Sequence, residues 1–204
     1  MKPRIPPILA GQLAVLAAAT IGASAATTIV DTTPATGQAD VKVQGGQTFT
    51  TPVLGSDDLL TTITVVGPGN HVATPPASTV FTLKVWEDQD QNHTTWDPGP
   101  LVATSGNSLQ ISDGYADNVF QFSGEQLSSN TVYVFSATAG GIDHTQFRTG
   151  WSQGYASGTP FSSGAIQDFG AGWDLSFKVD TIPEPAAPGL LALGGLAALI
   201  RRRR

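Results

Sequence analysis

The chain has 204 residues, no cysteine and a formal net charge of −6. The lack of cysteine excludes disulfides, thiolate metal sites and cysteine nucleophiles. Six of the ten basic residues lie in the terminal segments, so residues 26–181 hold only Lys42, Lys84, Arg148 and Lys178 against fifteen acidic residues, a net −11, and such a surface repels nucleic acid and anionic lipid.

In chain order, Lys2 and Arg4 form a short basic region, and Ile8 to Ile21 is apolar except for Gln12 and Thr20. Ala23-Ser24-Ala25 then offers the small residues a signal peptidase requires, which places cleavage before Ala26 and makes residues 1–25 a signal peptide. The short apolar stretch and the clean cleavage site argue against a retained N-terminal anchor.

Residues 26–181 have the length of one domain and read as strands. Ala26 to Asp40 is a lead-in with one edge strand. Val41-Lys42-Val43 and Thr48 to Val53 flank Gln44-Gly45-Gly46-Gln47, which predicts a hairpin turn. Thr61 to Val66 is rich in β-branched residues and stops at Gly67-Pro68-Gly69. Thr79 to Trp86 alternates, with Phe81, Leu83 and Val85 on one face and Thr82, Lys84 and Trp86 on the other. Leu101 to Thr104 and Val119 to Phe122 are shorter candidates, and Val132, Val134 and Ser136 alternate with Tyr133, Phe135 and Ala137. In the last strand Trp173, Leu175, Phe177 and Val179 oppose Asp174, Ser176 and Lys178, so Asp174 and Lys178 are expected to face water. No stretch of this body carries a 3.6-residue period. The expectation is an all-β fold, an antiparallel β-sandwich of jelly-roll type.

Several of these pieces, Gln47-Thr48-Phe49-Thr50, Phe81 to Val85, Pro98-Gly99-Pro100-Leu101 and Leu127 through Val134, resemble the β-rich extracellular modules called choice-of-anchor domains. That resemblance implies a sandwich outside the cell and no catalytic residue.

Three constellations bear on chemistry. Gly150-Trp151-Ser152-Gln153-Gly154 has the G-x-S-x-G spacing of a nucleophile elbow, but that elbow needs a helix after the serine and later an acid and a histidine. No histidine follows His144, so the match fails and no enzyme is expected. Asp88, Asp90 and Asn92 place oxygens at alternate positions, as a calcium loop does. His93 stands where an EF-hand needs glycine and Gly99 where it needs glutamate. A calcium loop of another type stays open, with Asp97 as a further ligand, beside the plainer reading of a solvated connection. Trp96 and Trp151, placed in apparent loops, would offer flat faces to sugar rings; the alternative is packing. His71, His93 and His144 lack metal-ligand spacing.

The tail holds three physically different pieces in fixed order. Ile182-Pro183-Glu184-Pro185 is rigid and extended, because its two prolines fix φ and remove backbone donors. Ala186 to Ile200 is small and apolar, about 22 Å long as a helix at 1.5 Å per residue, and shorter than the ~20 residues of a comfortable span. Arg201, Arg202, Arg203 and Arg204 would hold that end on the cytoplasmic side.

On Pro183, Glu184 and Pro185, the Gly189 to Ile200 run and the four arginines, residues 182–204 resemble the PEP-CTERM sorting signal of Gram-negative bacteria. The resemblance implies transient membrane insertion, recognition and cleavage by an exosortase (a membrane-embedded cysteine protease), and delivery to the cell surface or an exopolysaccharide matrix. Ala186, Ala187 and Pro188 stand where that family often has Ser and Thr. The expected protein is therefore exported, handled by a signal peptidase and an exosortase, and non-catalytic, with a possible association with exopolysaccharide. The alternatives are a carbohydrate-binding module and a secreted hydrolase.

Overall fold

The computed structural model describes residues 25–41, 44–54, 58–70, 76–92, 94–166 and 173–183. These residues belong to a compact unit bounded by Ser24 and Glu184. They form strands and turns, and no helix among them is long and apolar enough to cross a membrane. The expected apolar sorting helix lies outside the described residues.

The strands, in chain order, are β1 (Thr27–Asp31), β2 (Gly37–Val41), β3 (Gly46–Thr50), β4 (Asp58–Val66) and β5 (Val80–Asp88). They continue with β6 (Pro98–Thr104), β7 (Leu109–Gln110), β8 (Asp117–Gln126), β9 (Val132–Thr138) and β10 (Phe147–Gln153). The last four are β11 (Pro160–Ser162), β12 (Ala165–Ile166), β13 (Trp173–Leu175) and β14 (Phe177–Pro183). Among the described residues they make a four-stranded sheet β1-β14-β4-β8, a three-stranded sheet β13-β10-β2, and a seven-stranded sheet β12-β11-β3-β9-β5-β6 with β7 also on β5. All these pairings are antiparallel.

The core gathers buried apolar side chains from β4, β8 and β14 of the four-stranded sheet and from β3, β5 and β9 of the seven-stranded sheet. Phe177 of β14 meets Phe135 of β9 at 4.9 Å and Phe49 of β3 at 6.4 Å between ring centroids. Phe81, Leu83 and Val85 are all buried, as their alternation in β5 requires. In β9 both faces are covered: Phe135 and Ala137 enter the core, while Ser136 on the other side donates its hydroxyl hydrogen to the Gly45 carbonyl. The outer edge of β8 is closed by Asn107, whose Nδ2 donates to Val119 O at 2.9 Å while its Oδ1 accepts from Gln121 N at 2.7 Å.

Four expectations are corrected. The turn expected at Gln44 to Gln47 does not join a hairpin, because β2 pairs with β10 whereas β3 pairs with β9 and β11. Gly46 is a strand residue, and a Cβ there would land on the Phe135 carbonyl oxygen, so the glycine serves close strand approach instead of a turn. The lead-in from Ala26 to Asp40 holds two strands, β1 and β2. The final strand is broken at Ser176: β13 pairs with β10, and β14 passes between β1 and β4. Asp174 consequently lies inside, 2 % exposed, and not toward water.

Candidate functional site

Pro183, the first residue of the Pro-Glu-Pro motif, ends β14. The β14–β4 register runs through Thr181↔Leu60 and Ile182↔Leu59 to Pro183↔Asp58. Proline is tolerated there because a strand end needs no ladder donor from it. Thr181 is fully buried and Pro183 is exposed, so the chain passes from core to surface within two residues. Upstream, β14 pairs with β1 up to Thr27↔Thr181. Ala25 and Ala26, at the expected signal-peptide junction, are exposed and immediately precede β1. The two ends of the body thus leave from neighbouring strands. Ala23, Glu184, Pro185 and Arg201 to Arg204 lie outside the described residues.

The end of β14 is latched by Asp180. Its Oδ1 accepts from the Thr28 hydroxyl of β1 at 2.6 Å, and its Oδ2 from the Thr62 hydroxyl of β4 at 2.9 Å. Thr61 adds a hydroxyl bond to the Asp180 carbonyl oxygen at 3.0 Å. One carboxylate therefore ties three strands together three residues before the motif.

The two tryptophans proposed for sugar rings fall into separate clusters. Trp96, half-buried, packs on His144 at 5.0 Å and on Phe161 at 5.4 Å between centroids, and His144 in turn packs on Trp86 at 4.5 Å. Burial among these rings holds the His144 imidazole below its ordinary pKa, against the opposing pull of Asp143. Trp151 is a strand residue of β10 and not part of a loop. It lies edge to face on Trp173 and directly over Gly37, where a Cβ would meet its indole. His93 and His71 lie outside the described residues.

In the segment proposed for calcium, which starts at Asp88 as the last residue of β5, Asp88 Oδ2, both carboxylate oxygens of Asp90 and Asn92 Oδ1 accept internal hydrogen bonds. Asp88 Oδ2 and Asp90 Oδ1 both accept from Asn92 N, at 3.2 and 3.3 Å. Asp90 Oδ2 accepts from Asn92 Nδ2 at 2.6 Å and from the Thr95 hydroxyl, which holds the Asp90 carboxyl below its ordinary pKa. Asn92 Oδ1 accepts from Thr94 N at 2.8 Å and Thr95 N at 3.2 Å. Asp97 closes the loop through its backbone, accepting from Gln89 N at 2.9 Å. These are Asx-type turns, local side chain to backbone bonds that shape a loop. Among the described residues no group of three or more His, Cys, Asp or Glu side chains is placed to hold a metal ion.

Ser152 of the G-x-S-x-G stretch stands within β10 and is buried, with Asp174 opposite it across the strand pair. The strand-to-helix turn an elbow requires is absent from this segment.

A polar cluster that alternation did not reveal surrounds Asp174. Its Oδ1 accepts from Gln47 Nε2 at 3.1 Å and its Oδ2 from Tyr155 N at 3.0 Å. Gln47 Oε1 accepts in turn from Leu175 N at 3.0 Å, tying β3 to β13. Tyr155 reaches back to accept from Thr50 N at 2.9 Å, and burial pushes its phenol up to about 12. Burial also pushes the Asp174 carboxyl up to about 6 from an ordinary 3.8, only partly offset by the bonds from Tyr155 and Gln47. The only signal for this cluster in the sequence is Gln47 within a β-prone run, and that by itself does not name its partner.

A raised folded-state pKa means that the native state binds the extra proton between the two values, so stability from this group is full below 3.8 and falls as pH rises through about 6. Asp174→Asn should therefore gain relative to the wild type as pH rises from 4 to 7. Denaturant melts across that range check it, and a difference independent of pH would contradict the assignment.

Compared with known proteins, the chain matches no family model and no curated protein.

Proposed function

We propose that the chain is an exported, non-catalytic β-sandwich of jelly-roll type, trimmed at both ends and released to the cell surface or into an exopolysaccharide matrix. The sandwich reading is supported by the meeting of Phe177 with Phe49 and Phe135 across two sheets. One observation carries the functional reading: the rigid acidic Pro183-Glu184-Pro185, the apolar Ala186 to Ile200 and the four arginines follow one another from the last residue of the final body strand onward. A signal-peptidase junction at Ala25 and Ala26, just before β1, gives the matching event at the other end. The signal peptidase and an exosortase are the partners during export, with the apolar segment inserted in the membrane until cleavage.

Glu184→Ala tests it. The variant should cross the inner membrane normally and then accumulate there as a precursor with its tail attached. Cell fractionation and immunoblotting would show this, and release at the wild-type level would contradict an exosortase route.

A further inference from the structure

The motif and the fold overlap. Pro183 belongs both to Pro-Glu-Pro and to the register of β14 on β4, opposite Asp58. A protease takes its substrate as an extended strand whose main-chain groups it pairs with. In β14 those groups already serve β4 as far as Pro183 and β1 as far as Thr181. The Asp180 carboxylate, bonded to Thr28 and Thr62, fastens both neighbours just before the motif. Nothing in the sequence separates the core residue Thr181 from Glu184 except Ile182 and Pro183.

We propose that the folded body gates its own C-terminal processing: the end of β14 must unzip from β4 before an exosortase can seat Pro-Glu-Pro. The inference rests on the sorting-signal reading above. Strand ends open locally at far lower free energy than the whole domain, so the folded precursor is competent for a fraction of the time. The observed processing rate is reduced to that fraction of the ungated rate. Any change that loosens the end of β14, or moves the motif out of it, raises the rate without touching Glu184.

Pulse–chase of the full-length precursor in cells carrying an exosortase tests this with three changes. The first inserts Gly-Ser-Gly-Ser-Gly-Ser between Ile182 and Pro183, leaving β14 intact to Ile182. The second is Asp180→Ala, which removes the latch. The third is Glu184→Ala. The insertion should shorten the precursor's half-life, and Asp180→Ala, which removes the bonds to Thr28 and Thr62, should do so by about fivefold or more, fivefold being the scale of one net hydrogen bond. Combined with the insertion, Asp180→Ala should add nothing further, because the motif no longer waits on the strand. A general destabilisation would not show that loss of effect. Wild-type half-lives for both the insertion and Asp180→Ala would overturn the gate, as they would if cleavage preceded folding. Wild-type processing of Glu184→Ala would instead remove the sorting-signal reading itself.

Discussion

Phe177→Ala should lower the unfolding free energy by about 3–5 kcal/mol, the range for deleting a buried phenylalanine ring. Phe177 is fully buried and touches Phe49, Phe135 and Tyr155, so its loss opens a cavity among these rings. A domain of this kind is held by roughly 5–15 kcal/mol in all. Lys178→Ala, one residue along on the half-buried opposite face, should change stability by no more than about 0.5 kcal/mol. Denaturant melts of residues 25–183 compare the two. The range must reach Pro183, because ending it at 181 would remove the last two pairs of β14 with β4. Equal effects at 177 and 178 would contradict a strand that alternates between core and surface.

Gly67→Ala should be nearly as damaging, at about 2–3 kcal/mol, toward the upper end of what overpacking a filled interior costs. Gly67 is buried immediately after β4, and its N–H donates to the Ala116 carbonyl at 2.8 Å. A Cβ at this position would land on the Ser112 carbonyl oxygen, a backbone atom that cannot rotate away. Gly106→Ala is the control. Its new methyl would meet only the Gln121 carbonyl oxygen, at 3.8 Å, so the change should stay within about 0.5 kcal/mol. Thermal melts of the two variants check the contrast, and a tolerated Gly67→Ala would mean that the loop from Ile111 to Ala116 packs less closely on β4.

What could be read from the residues follows from how local each signal is. Alternation placed Phe81, Leu83, Val85, Leu175, Phe177 and Val179 in the core, because a strand's period of two depends on nothing beyond itself. The same rule misplaced Asp174. It assumes that one face of a strand is wet, and β13 instead turns that face toward Gln47 and Tyr155. Gly45-Gly46 read as a turn because glycine is the usual turn residue, yet Gly46 is there so that β3 can approach Phe135. The break at Ser176 was hidden for a similar reason: Ser176 keeps the alternation while the chain changes partners from β10 to β4, and partner choice is set by distant residues. Among the candidate sites, Asp90 and Asn92 fall in a loop as read, whereas Asp88 ends β5 and is buried, and only the hydrogen bonds show how Asn92 organises the turn. The position of Pro183 inside β14 was not legible from the motif, since the register with Asp58 comes from a segment more than a hundred residues earlier.

The most direct test of an exported protein trimmed at both ends is the intact mass of the form recovered from the cell surface or matrix. The recovered chain should begin at or near Ala26 and lack the apolar run and Arg201 to Arg204. A surface form that still carries the four arginines would contradict it.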